Sequence, residues 1–252
     1  MCSGTEDTSE IQPETRQPKK VYRVLLGAYL GLGVLLCARN AIAGKLTDKT
    51  VALGYFCCVI TTLCAWLIIK RFNLLGMELK NPRKTFIWVG SLMAVWVETW
   101  FWALEKLLHA KGVAANPNLL IDLLVTMPWY IGMVAVLYSS QKQCRFAWWK
   151  LALLGGLYEL AADGIVGGMI LSDKLGGLQN LWILPLAFPM FVGVYSCMML
   201  PASWLVFGEG GTPEVNEPRE RIKLALKPLL VLVVYAVVMF AFLMLVSIGK
   251  HK

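Results

Sequence analysis

Apolar residues run through this chain in seven long blocks, each bounded by short stretches rich in charge, Gly, Pro or Asn. The blocks lie near 22–43, 50–69, 86–108, 118–139, 146–171, 181–207 and 225–248. Each reaches the length of roughly 20 residues that an α-helix needs to cross about 30 Å of hydrocarbon. The pattern therefore predicts an all-α polytopic membrane protein built as a bundle of seven transmembrane helices. Residues 1–21 are polar, mix acids and bases, and carry Pro13 and Pro18. They read as a short disordered cytosolic tail rather than a signal peptide. The membrane domain fills residues 22–252. Its one long polar loop, Gly208 to Arg221, is expected to be solvated. Arg39 and Asn40 interrupt the end of the first block and read as a helix end whose arginine snorkels.

Composition supports the membrane reading. Hydrophobic residues make up 58% of the 252, charged residues only 16%, and mean hydropathy is +0.62. That is too little charge to coat a soluble globule. The net charge of +8 has a simpler cause than nucleic-acid binding, because cytosolic loops of membrane proteins collect Lys and Arg. Of the 24 basic residues, 16 fall on the side of the N-terminal tail and 8 on the other. The N-terminus is thus expected in the cytosol, with the protein in a multi-pass membrane location, the endoplasmic reticulum if the cell is eukaryotic. The seven cysteines form no CxxC or Cys/His set and read as packing residues. Gly27xxxGly31 and Gly164xxxGly168 are candidate sites of close helix approach. No convincing internal repeat supports an inverted-repeat transporter.

Candidate chemistry comes from carboxyl groups inside apolar blocks, where ionisable side chains are costly and usually face the bundle interior. Four qualify: Glu98 in the third block, Asp122 in the fourth, and Glu159 and Asp163 in the fifth. At 1.5 Å per residue Glu98 and Glu159 lie about 18–20 Å up from the cytosolic side, and Asp122 about 6 Å below the opposite surface. Asp163 follows Glu159 by one turn on the same face. All four therefore gather in the half of the membrane away from the cytosol. Trp96, Trp100, Trp129, Tyr130 and Tyr158 stand beside them in sequence and are expected to line a hydrophobic substrate. Glu105, near Lys106 and His109, reads as an exposed helix end. With only two histidines, and no Gly-rich phosphate loop followed by Lys, metal, serine-hydrolase and nucleotide chemistries find no residues. No metal or other cofactor is expected. A protonated carboxylic acid in a dry pocket donates a proton to an olefin or epoxide, aromatic faces stabilise the cation, and an ionised carboxylate removes another proton. Pro128, Pro185, Pro189 and Pro201 are expected to open the backbone of the fourth and sixth spans.

The stretches Val97-Glu98-Thr99-Trp100-Phe101, Leu104-Glu105-Lys106-Leu107-Leu108, Met127-Pro128-Trp129, Leu157-Tyr158-Glu159 with Asp163-Gly164, and Met199-Leu200-Pro201 resemble the EXPERA domain of emopamil-binding-protein-like sterol isomerases. The resemblance covers about residues 86–207. It implies an intramembrane cavity for a sterol-like or terpenoid ligand, with Glu98 matching a family active-site glutamate. The histidine that the family carries one turn earlier is Ala94 here, and Val194 and Cys197 stand near the family's asparagine and tryptophan. The expected function is cofactor-independent isomerisation or cyclisation of a hydrophobic isoprenoid, terpenoid or sterol within the membrane. The alternatives are a non-enzymatic sterol- or lipid-binding protein and a transporter.

Overall fold

In the computed structural model the described residues are 18–171, 178–209, 215 and 217–250. Of the expected tail, residues 1–17 lie outside them, and so do 210–214 and 216 of the polar loop. The chain is 85% helix without a strand among the described residues. In order it forms α1 (Pro18–Ala43), α2 (Leu46–Arg71), α3 (Pro82–Leu107), α4 (Leu119–Cys144), α5 (Trp148–Glu159), a π-helix (Leu160–Leu171), a 3₁₀ turn (Leu178–Ile183), α6 (Leu184–Phe207) and α7 (Pro218–Lys250). α1 begins inside the expected tail, because Pro18 suits a first helical position. Among the described residues, six helices are long and apolar enough to cross a membrane. Their outer faces carry large apolar side chains such as Trp88, Leu92, Leu124 and Val234, a surface that needs lipid as its solvent. The chain is an integral multi-pass membrane protein.

The fifth apolar block is divided. α5 has only 12 residues, about 18 Å, and its rod continues as 12 residues of π-helix. The ends of α2, α4 and α6 meet on one face. There Gly76 N–H donates to Trp204 O at 2.9 Å and Met77 N–H to Leu205 O at 3.1 Å, using carbonyls orphaned at the end of α6. Gln141 Nε2 donates to Ser203 Oγ at 3.1 Å, and the Arg145 guanidinium lies 4.9 Å from the Phe207 ring. α4 and α6 both end on that face, and the rod Trp148–Leu171 begins there.

Packing centres on α6, which touches α1, α2, α3, α4 and α5. Two close approaches to α6 are made by glycines: a Cβ on Gly33 would lie 2.3 Å from Pro189 Cβ, and one on Gly156 2.4 Å from Val192 Cγ2. The expected Gly27 and Gly31 pair instead meets nothing within 4 Å. Gly164 makes only ordinary contacts, and the side-chain surroundings of position 168 are not described. The contact in α1 is made by Gly33 because that residue, not Gly27 or Gly31, faces α6.

Prolines within the spans free carbonyls that other helices satisfy. A proline at position i leaves the carbonyl at i−4 without its donor. Pro189 frees Pro185 O, which accepts from Tyr29 OH of α1. Pro228 frees Leu224 O, which accepts from Ser140 Oγ of α4 at 2.6 Å. Tyr235 OH donates to Val125 O in the turn opened by Pro128. Pro185 itself sits in the first turn of α6, where a missing N–H costs nothing. Ser140→Ala is therefore expected to destabilise the protein by about 1 kcal/mol. In a Pro228→Ala background, which returns an N–H to Leu224 O, the same change should cost almost nothing. Unfolding of the four proteins in detergent measures this; equal costs in both backgrounds would refute the coupling.

Candidate functional site

The carboxyl groups expected to meet do so, between α3, α4, α5 and α6. Glu98 is buried on the inner face of α3, and its Oε1 accepts from Tyr130 OH at 2.5 Å. Asp122 is completely buried in the first turn of α4, where the helix N-terminus favours an acid. Its Oδ1 accepts from Asn116 N–H at 2.8 Å, and its carboxyl group lies beside that of Glu98. Glu159, the last residue of α5, is buried and touches Asp163 and Tyr195. Tyr195 of α6 is fully buried, with its hydroxyl toward Glu159 and Tyr130. The two tyrosine rings stand 5.9 Å apart at 63°.

Among the described residues, no Lys or Arg forms an ion pair with Glu98, Asp122 or Glu159. Carboxyl groups this close in a low-dielectric surround cannot all carry charge. Three buried polar atoms at the cluster remain without an aligned partner: Asp122 Oδ2, Glu159 Oε2 and Tyr195 OH. Native interiors rarely tolerate such orphans without a functional reason. The described residues hold no group of three His, Cys, Asp or Glu able to bind a metal.

The side of the cluster reached by the end of α3 is closed by the loop 108–118, pinned from below. Glu105 Oε2 accepts from Val113 N–H at 2.6 Å and Ala114 N–H at 2.8 Å, and Trp102 Nε1 donates to Pro117 O at 3.0 Å. Glu105 is thus 5% exposed rather than an open helix end, because the loop folds back over it.

Other expectations need correction. Asp163 is exposed, at the rim of the cluster. It nonetheless reaches Glu159, as its place one turn further along the rod implies. Trp96 and Trp100 lie two residues either side of Glu98, and positions i and i+2 do not share a helix face. Their rings pack edge to face at 5.6 Å, and Trp96, 45% exposed, donates to Thr61 Oγ1 of α2. Tyr158 is fully buried, yet its hydroxyl donates to Ala225 O of α7 at 2.5 Å. Trp129 is buried, with its indole N–H unpartnered. Of the five aromatics only Tyr130 bonds to an acid of the cluster. Tyr195 completes the cluster without standing out in the sequence, where its signal is a lone tyrosine hydroxyl in the sixth block. Ala94, Val194 and Cys197 are all buried.

Two cavities, of about 550 and 580 Å³, lie elsewhere: one between α5 and the start of α7, the other between α1, α2, α5 and α6. Neither is lined by a cluster acid. The larger is separated from the cluster by α6, whose Val192 and Ser196 face the cavity while Tyr195 faces the acids. No protein-family model matches this chain, and no curated protein or solved structure matches it either.

Proposed function

We propose that this protein is an intramembrane enzyme that rearranges a hydrophobic isoprenoid, terpenoid or sterol by carboxyl acid–base chemistry without a cofactor. The observation that carries the reading is the convergence of buried Glu98, Asp122 and Glu159 from three helices, with Tyr130 and Tyr195, around polar atoms left unpartnered. The EXPERA-like stretches point to the same substrate class. The chain crosses the membrane seven times, with Trp148–Leu171 as the fifth crossing and the N-terminus in the cytosol. The basic residues and the shared face of α2, α4 and α6 support this orientation.

Glu98 is the proton donor, held in position by Tyr130 and lying beside Asp122. Transfer of that proton to a substrate double bond breaks the Glu98 O–H bond, forms a C–H bond and leaves a carbocation. Glu159, or Asp163 at the rim, then removes a different proton, and the electron pair of that C–H bond becomes the new double bond, in place or after ring closure. Glu159, Tyr195, Tyr130 and Glu98 form a series of neighbours along which the abstracted proton returns to Glu98. Tyr195 is the link that joins base to acid.

Lipid extracts of membranes carrying the wild-type chain or Glu98→Gln, supplied with candidate terpenoids and sterols, test the reading. Conversion by the wild type alone supports it, and unchanged conversion by the variant removes it. The separation of the larger cavity from the acids favours one second reading, a sterol- or lipid-binding protein or carrier. Specific labelling by a photoreactive sterol or terpenoid without conversion selects that reading.

A further inference from the structure

The larger cavity is a groove whose walls come from α1, α2, α5 and α6. Trp66, Trp148 and Trp204 stand at its mouth, near the face where α2 and α6 end. Pro189, fifteen residues before Trp204, lines its deep end, so the groove extends about 22 Å along the helices. Its volume of about 580 Å³ suits one small ligand. Tryptophans at a membrane interface and an apolar interior would equally suit any lipid tail. The hydroxyl groups make the difference.

Tyr55 is 5% exposed and lines the groove. Its hydroxyl donates to no other described residue and is not among the sealed, orphaned polar atoms, so it opens on the cavity. Tyr55 packs on Gly193, where a Cβ would lie 2.2 Å from its ring, and this contact fixes the ring. Thr62 and Ser196 face the same space from α2 and α6. Their protons are committed to Cys58 O at 2.9 Å and Val192 O at 2.6 Å, which leaves their oxygens as acceptors. Among the described residues the groove thus offers one donor and two acceptors without a competing partner, a set that suits a group that both accepts and donates, and a hydrocarbon tail offers neither. The mouth bears the Glu209 carboxylate and, over the Trp66 ring at 4.7 Å, the Lys70 ammonium. Opposite charges there select no charged head group.

The geometry points to this groove as a binding site for a neutral apolar alcohol of lipid size, its hydroxyl accepting from Tyr55 and donating to Ser196 or Thr62. The site shares no residue with the acid cluster and stands apart from the acid–base reading. The test uses the full chain in phosphatidylcholine vesicles and a long-chain alcohol bearing a diazirine, beside the hydrocarbon that lacks the hydroxyl. The alcohol should label α2 and α6 about three- to tenfold more strongly than the hydrocarbon. Tyr55→Phe, which keeps the ring on Gly193, should bring it down to the hydrocarbon level. Val59→Trp, which fills the groove, should abolish labelling by both probes. Glu98→Gln should leave labelling unchanged while stopping turnover, so either idea can fail without the other. Equal labelling by the two probes, labelling elsewhere, or labelling indifferent to Tyr55→Phe would overturn the site.

Discussion

Replacing Glu98 by glutamine should lower turnover of an isoprenoid substrate by about 10²–10⁴-fold, the span that a positioned general acid supplies. The amide keeps the volume of the side chain and an oxygen to accept from Tyr130, whose bond to Glu98 is 2.5 Å. The proton that a carboxylic acid gives away is lost, because a carboxamide is far too weak an acid to protonate an olefin. Packing should survive, so a thermal unfolding midpoint close to that of the wild type belongs to the prediction. Loss of turnover with a collapsed midpoint would point to a structural role for Glu98. Full turnover would end the acid–base account.

Asp122 carries two duties that substitutions can separate. Its Oδ1 holds Asn116 N–H of the covering loop, and its carboxyl group meets Glu98. Asp122→Ala removes both, leaving an amide donor without its acceptor, and should cost about 1–3 kcal/mol of stability together with most turnover. Asp122→Asn keeps an oxygen for Asn116 and so should restore most of the stability. It removes an ionisable partner of Glu98, so turnover should remain low, by about tenfold or more. Parallel unfolding curves and turnover assays read the two effects. Asparagine restoring stability and turnover together would make Asp122 a loop anchor only.

Much of this arrangement is legible in the sequence, since the cost of placing charge in hydrocarbon leaves few options. Glu98, Asp122 and Glu159 stand out in apolar blocks, and the rise per residue places them at compatible depths. The i, i+2 spacing of Trp96 and Trp100 about Glu98 is equally legible and turns both off its helix face. Other features had no local signal. α-Helical and π-helical stretches share the same apolar composition, so the change of geometry after Glu159 is invisible in the residues. Gly33 rather than Gly31 meets α6 because Pro189 lies opposite, a tertiary fact. Glu105 looks like a helix end until the loop 108–118 folds over it. Tyr29, Ser140 and Tyr235 find their roles only once prolines on other helices have freed carbonyls beside them.

Cross-linking in native membranes tests most directly whether side chains from separate helices meet as described. In a background without the native cysteines, the pairs Glu98→Cys with Asp122→Cys and Glu159→Cys with Tyr195→Cys would be treated with a mild oxidant or a short dithiol-reactive reagent. Both pairs should cross-link rapidly, since the side chains they replace are in contact across α3–α4 and α5–α6. A control pair of Trp88→Cys with Leu124→Cys, on outward faces, should not. Should the cluster pairs remain unlinked while the protein is folded, the acids do not share a site and the chemistry assigned to them is wrong.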